Sequence, residues 1–332
     1  MAKNKIPFLK NKSILVTGAT GSFGQRFVKR LLLESEARRV IVFSRDELKQ
    51  SQMQTEIADP NNRLRFFIGD VRDYERLRRA FDGVDFVVHA AALKQVPALE
   101  YNPFEAIRTN ILGTQNVINA ALDSTVEKVI LISTDKAANP ANLYGSTKLC
   151  AEKLIVDGNS YRGSKNRARF AAVRYGNVLG SRGSLLKVLD EQRARGAVLL
   201  THEEMTRFWI TLDQGIDLVL LALEKAFGGE VFVPKVPSMK VKDLIAHCAP
   251  GAKVKVIGIR PGEKLHEVLI TPEEGRHTIE YKEYYIIVPE LDWWNTKNYI
   301  DGKKVSADFA FTSLNNTRWL DSASLKKLLA TI

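Results

Sequence analysis

The strongest constraint on the fold lies in the first half of the chain, where short apolar runs alternate with amphipathic stretches. The runs are residues 13–17, 40–43, 64–68, 86–89, 128–132 and 170–173, rich in Val, Ile and Phe. Each is short and apolar on both alternating faces, the pattern of strands covered on two sides. Between the first two, residues 23–33 place Phe23, Phe27, Val28, Leu31 and Leu32 on one helical face. Alternation of this kind predicts an α/β chain with a parallel sheet, helices on both faces and right-handed crossovers. Ligands of such sheets bind beyond the carboxyl ends of the strands. The chemical motifs should therefore fall at those ends.

After Val178 the rhythm breaks. A glycine- and arginine-rich stretch, residues 180–208, precedes one more helical pattern at 213–227, and from Val231 onward short strands, prolines and helices mix. The chain of 332 residues is long enough for a second lobe. We expect a nucleotide-binding domain from 1–177 and 208–230, and a smaller, discontinuous α/β substrate lobe from 178–207 and 231–332. The composition, 45% hydrophobic and 26% charged, excludes a disordered chain. No run approaches the roughly 18 apolar residues of a membrane span, and the basic start lacks a secretory core, so a cytoplasmic protein without a membrane span is expected. Cys150 and Cys248 alone make neither a disulfide scaffold nor a zinc cluster. His89 and His266 have no ligand companion at suitable spacing, so no metal is expected. Lys plus Arg outnumber Asp plus Glu by 49 to 38. That excess is dispersed, which points to a phosphorylated small molecule and not to nucleic acid.

The first strand runs directly into Gly18-Ala-Thr20-Gly21-Ser22-Phe23-Gly24. Glycines at this spacing let the backbone approach a pyrophosphate, which the free N–H groups of the following helix stabilise. The second strand ends in Ser44-Arg45, where an NAD site usually carries an acid. Arg45, with Ser44 and Lys49, suits the extra phosphate of NADP; Asp46, one residue later, leaves NAD open. Asp70 ends the third strand within reach of an adenine amino group, next to Val71. Ala90 and Ala91 end the fourth with side chains small enough to admit ribose and nicotinamide. Lys94 and Ser133 complete the cofactor set, together with Tyr144 and Lys148.

The fifth strand ends in Ser133-Thr134-Asp135-Lys136, followed by Tyr144-Gly-Ser-Thr-Lys148. Residues four apart share a helix face. A lysine beside a tyrosine lowers the phenol's pKa, so that it can take an alcohol proton during hydride transfer. Asp135 and Lys136 are more discriminating. Simple oxidation of one carbinol needs no second acid–base pair, whereas eliminating water beside a new ketone needs a base for C–H and an acid for the leaving hydroxyl.

These motifs, with Phe43-Ser-Arg-Asp-Glu-Leu-Lys49, Phe67-Ile-Gly-Asp-Val-Arg-Asp73, Ala90-Ala-Ala-Leu-Lys94, Ser133 to Pro140, Asn142-Leu-Tyr-Gly145, Arg174-Tyr-Gly-Asn-Val178, Gly180-Ser-Arg-Gly-Ser184, Met205 to Thr211, Phe232-Val-Pro-Lys235 and Ile257 to Glu267, resemble the inverting UDP-N-acetylglucosamine 4,6-dehydratases of the extended short-chain dehydrogenase/reductase family. The match spans nearly the whole chain. It implies a Rossmann-like doubly wound sheet, bound NADP and UDP-N-acetylglucosamine as substrate, with a product on the route to pseudaminic acid or related surface glycans. Gln95 departs from the family's histidine. Tyr144, supported by Lys148 and Thr134, would take the C4 hydroxyl proton. Lys136, as a neutral amine of lowered pKa, would remove C5–H, and Asp135 would protonate the departing C6 hydroxyl. By position, Arg182 and Arg260 would meet diphosphate or uridine, Lys94 and Asn177 the sugar-diphosphate, Glu263 the ribose and Thr201 the uracil; Arg207 and Lys264 are further candidates. Family members self-associate, so a homo-oligomer, dimer or hexamer, is expected. A 4-epimerase shares the fold and the Tyr144/Lys148 pair, and a non-catalytic NADP-binding regulator shares the glycine loop.

Overall fold

The structure is a computed structural model that describes residues 5–161, 163, 167–180, 189, 192, 196–295 and 297–330. Its centre is β1 (Ser13–Thr17), buried at every residue. β1 pairs in parallel with β2 (Arg39–Ser44), which β3 (Leu64–Ile68) extends, and on its other side with β4 (Phe86–His89). β5 (Lys128–Ile132) and β6 (Arg169–Val173) continue that side in parallel. The order β3-β2-β1-β4-β5-β6 reverses between β1 and β4, the switch point at which doubly wound sheets bind ligands. β3 departs from the expectation of two covered faces: Arg65 and Ile68 are exposed, because β3 is the last strand on its side of the sheet.

Local sequence sets the helices around this sheet. α1 (Ser22–Glu34) buries Phe27, Val28, Leu31 and Leu32, each worth about 1.5–3 kcal/mol when fully covered. Asp46 caps α2 (Glu47–Glu56) by accepting from the Lys49 N–H, and Asp73 caps α3 (Tyr74–Ala80) through the Arg76 N–H. α1 has no side-chain cap; Gly21 occupies that position. A helix N-terminus without a side-chain cap favours an anion.

Past β6 the chain divides its strands. Val231–Pro234 pairs in parallel with β6, and the antiparallel strands Tyr284–Ile287, Thr278–Glu280 and Lys303–Lys304 complete a 10-stranded sheet. Among the described residues three small sheets stand apart: Asn177–Val178, Thr206–Ile210 and Ser238–Lys240; Val198–Leu200 with Val254–Val256; and Val268–Ile270 with Phe311–Thr312. Residues 231–234 therefore extend the main sheet, and the strand 206–210 crosses the boundary expected at 207/208. Short apolar strands carry no mark of the sheet they join, and Val231, Phe232 and Val233 simply prolong the buried surface of β6. Among the described residues no helix is long and apolar enough to cross a membrane.

His89 closes β4 inside this core, with Nδ1 2.7 Å from Thr17 Oγ1 and Nε2 3.1 Å from Thr114 Oγ1. Burial, aided by the nearby Lys148 charge, pushes its pKa down from 6.5 to about 3. Between those values the unfolded chain binds a proton that the folded chain refuses, so stability falls as pH falls through that window. This residue alone should contribute about 1.4 kcal/mol per pH unit. Urea unfolding of His89→Gln across the same range should show a correspondingly shallower acid slope.

Candidate active site

A cavity of about 800 Å³ opens at the carboxyl ends of the parallel strands. Every residue named above for a cofactor lines it. Gly18 has φ +65°, and a Cβ there would lie 2.8 Å from Ala91 Cα; at Gly24 it would lie 2.4 Å from Ala19 Cα. The glycine loop thus presses its backbone against the end of β4 and against itself, a packing that any side chain would break. Two hydroxyls of the cavity wall, Ser133 Oγ and Thr109 Oγ1, are buried without a hydrogen-bond partner, as expected where a ligand supplies one. Thr109 lies in a π-helical turn, Ile107–Leu112, a form common at functional sites. Uncapped helix, close-packed glycines and orphaned hydroxyls together fit an elongated phosphate-bearing cofactor. At the far end Arg45 Nη1 lies 3.5 Å from Asp70 Oδ2, and Lys49 pairs with Asp46. Arg45 and Asp70, which the sequence assigned to separate parts of the cofactor, stand beside one another.

The chemical end is built on a short turn after β5, Asp135–Ala137, capped by Thr134. The Thr134 hydroxyl donates to Asp135 Oδ1 at 3.0 Å, and Lys136 Nζ donates to the same oxygen at 3.0 Å. Thr134 also acts on the neighbouring Tyr144, whose phenol it favours in the ionised form. Tyr144 and Lys148 project from the helix Leu143–Asp157, which starts at Asn142. Asn142 does two jobs: its Oδ1 accepts from the Gly145 N–H at 2.8 Å, and its Nδ2 donates to Gly262 O at 2.7 Å. One amide side chain thereby caps the helix and ties it to the loop bearing Arg260 and Glu263.

Two expectations about protonation change. Lys136 holds its proton more strongly than an ordinary lysine: burial weakens it, but Asp135 and Glu267 outweigh that. A free amine is therefore not the resting state. Asp135 is pushed up, chiefly by burial, and its side chain lies behind Lys136, not at the cavity surface. The Tyr144 phenol is raised by burial; the cation that lowers it is Lys136, not Lys148. Lys148, buried beside Glu152, is itself lowered to about 8 by burial.

Asn177, Thr201, Arg260, Glu263 and Lys94 line the other side of the cavity. Burial pushes the Lys94 ammonium down, and Glu263 Oε2 is buried without a hydrogen-bond partner. Arg182 lies outside the described residues. Arg207 and Lys264 are engaged by the protein: Arg207 donates to the carbonyls of Thr206, Lys264 and Leu265, and Lys264 Nζ to Ala138 O at 2.8 Å. Sequence reasoning passed over Asn142, whose position two residues before Tyr144 is a cap signal. It also passed over a buried cluster with no local signal. Arg174 donates to Glu152 at 2.6 Å and to Glu274 at 2.8 Å, joining the Tyr144 helix to the end of β6 and to the turn that carries Glu274. Glu152→Ala strips one side of this pair, and should cost about 3 kcal/mol, read as a fall in the urea midpoint at unchanged m-value.

The profile of a family described as polysaccharide biosynthesis protein matches residues 14–289. Over 330 residues, 97% of either chain, the sequence is 48% identical to a UDP-N-acetylglucosamine 4,6-dehydratase (inverting) of Campylobacter jejuni. It is 39% identical to a UDP-glucose 4-epimerase of Rickettsia conorii, covering 97% of this chain and 96% of that one. The solved structure of Pen from Bacillus thuringiensis superposes with a TM-score of 0.89 at 36% identity, over 98% of both chains.

Proposed function

The chain belongs to the polysaccharide biosynthesis protein family, within the extended short-chain dehydrogenase/reductases, and from that premise we propose that it is an inverting UDP-N-acetylglucosamine 4,6-dehydratase. The observation that carries this reading is Lys136, ion-paired with the buried Asp135, standing in the same cavity as Tyr144 and Lys148. A 4-epimerase has use for the second pair only.

A nicotinamide dinucleotide, held along the loops after β1 to β5, would supply hydride removal at C4 and hydride return at C6. Tyr144 takes the C4 hydroxyl proton, with the Thr134 hydroxyl as its neighbour. The cation that favours the phenolate is Lys136, while Lys148, with a pKa near 8, is still cationic at neutral pH. The 4-ketone acidifies C5–H. The Lys136 proton then crosses the 3.0 Å to Asp135 Oδ1, turning an ion pair into a free amine and a carboxylic acid without change of net charge. The amine takes the C5 proton, and the acid's proton leaves with the C6 hydroxyl as water. Asp135 is behind the cavity wall, so that proton is passed on through the Lys136 amine or the Thr134 hydroxyl. Hydride return at C6 is completed by a proton added to the opposite face of C5, which balances the one taken from the C4 hydroxyl. Arg260 faces the UDP diphosphate, joined by Arg182; Lys94 and Asn177 flank the sugar-diphosphate, Glu263 the ribose and Thr201 the uracil.

We assign NADP on Arg45 and Ser44, Lys49 being committed to Asp46. Arg45→Ala should weaken NADP binding about 10- to 100-fold, the worth of a charge-assisted hydrogen bond, and leave NAD binding unchanged. Equal losses for both in a fluorescence titration would overturn that assignment. Incubation with UDP-N-acetylglucosamine should give a product lighter by one water and inverted at C5 by NMR. Tyr144→Phe should block C4 oxidation, while Asp135→Asn should still oxidise C4 and stall at water loss. A product of unchanged mass would favour the epimerase reading.

A further inference from the structure

Glu267 lies in the second lobe, immediately before the strand Val268–Ile270, and its side chain is buried. Its backbone is fixed from both sides by Ser313: the Glu267 N–H donates to Ser313 Oγ at 2.9 Å, and the Ser313 N–H donates to Glu267 O at 2.8 Å. Its Oε1 lies 3.5 Å from Lys136 Nζ and 3.6 Å from Arg207 Nε; its Oε2 lies 3.4 Å from Lys264 Nζ. Lys136 thus has a carboxylate on each flank, Asp135 from its own turn and Glu267 from the other lobe. The two are unlike. Among the described residues Asp135 has one cation and Glu267 three, and Arg207 and Lys264 are themselves held by carbonyls. Lys264 also grips Ala138 O, so the turn that carries Lys136 is tied to the segment that carries Glu267.

We propose that Glu267 is a positioning residue for Lys136: a permanently ionised carboxylate that pins the amine at the cavity wall and leaves Asp135 as the one partner able to exchange a proton with it. The proposal rests on the reading of Lys136 as the group working at C5. The reason is electrostatic. Two carboxylates beside one amine do not share protons equally; the one with more cations stays ionised and its charge makes the other easier to protonate. The directions agree. Glu267 is held down to about 2 by Lys136, Arg207 and Lys264, while Asp135 is pushed up by burial and by Glu267. Among the described residues, the charged or titratable groups that face Lys136 are Asp135, Glu267, Arg207 and Tyr144.

Removing the Glu267 charge lowers proton affinity at both members of the Asp135–Lys136 pair, and removing the Lys264 charge raises it. The pair titrates as a unit, so both limbs of the pH profile for water loss should move together. Glu267→Gln should shift them to lower pH by about one to three units; Lys264→Met should shift them to higher pH. Transient C4 oxidation, read as cofactor reduction on mixing with UDP-N-acetylglucosamine, should stay within about twofold in both. An activity-free measurement accompanies this: acetylation of Lys136 at fixed pH, followed by peptide mass spectrometry, should be at least about tenfold faster in Glu267→Gln and slower in Lys264→Met. Wild-type enzyme that releases no water would refute the functional reading, and the labelling would still decide the role of Glu267. Unchanged labelling in Glu267→Gln, or shifts of one sign in both variants, would overturn the proposal. If Glu267→Gln does not fold, Lys264→Met carries the test by the sign of its shift.

Discussion

A lysine ammonium set between two buried carboxylates is the interaction on which the rest of the site depends. Burial alone would strip Lys136 of its proton; Asp135 and Glu267 return it, and the amine rests charged. A lone buried cation would be prohibitively costly, and a lysine with one buried carboxylate would be a static ion pair. With a second carboxylate held ionised by Arg207 and Lys264, the proton can move between Lys136 and Asp135 with no charge leaving the cluster. That is the requirement for a group that must serve as acid in one step and base in another.

The scaffold brings these groups together from distant stretches of chain. β5 delivers Thr134, Asp135 and Lys136; the helix Leu143–Asp157 delivers Tyr144 and Lys148; the segment before Val268 delivers Glu267. The joints are few and polar. Asn142 bonds the Tyr144 helix to the Arg260–Glu263 loop, Lys264 bonds Ala138, and Arg174 spans Glu152 and Glu274. Each ties the elements that follow β5 and β6 to residues 262–274, through bonds that also shape the cavity wall. The glycine loop plays the corresponding part at the other end, where a single Cβ at Gly18 would collide with Ala91.

Much of this was legible in the chain itself, for reasons that differ by element. The parallel strands announce themselves because burial on both faces demands unbroken apolar runs, and β1 to β6 appear where those runs fall. The glycine loop and the Tyr144/Lys148 spacing are local, so position along the sequence suffices. The destination of residues 231–234 was not legible: an apolar strand of four residues fits either sheet. Protonation states were not legible either. Lys136 resembles a lysine that burial should neutralise, and only the fold reveals that Glu267, more than a hundred residues onward, joins Asp135 in holding its proton on. Arg207 and Lys264 read as anion-binding cations in sequence; in the fold their anion is the protein's own.

The central claim is that one cavity removes hydride at C4, expels water across C5 and C6, and returns the same hydride at C6. Substrate carrying deuterium at C4 tests it most directly. The account requires the label to appear at C6 of a product that has lost water, within the same molecule when labelled and unlabelled substrates are mixed. Label still at C4 in a product of undiminished mass, or label lost to solvent, would contradict it.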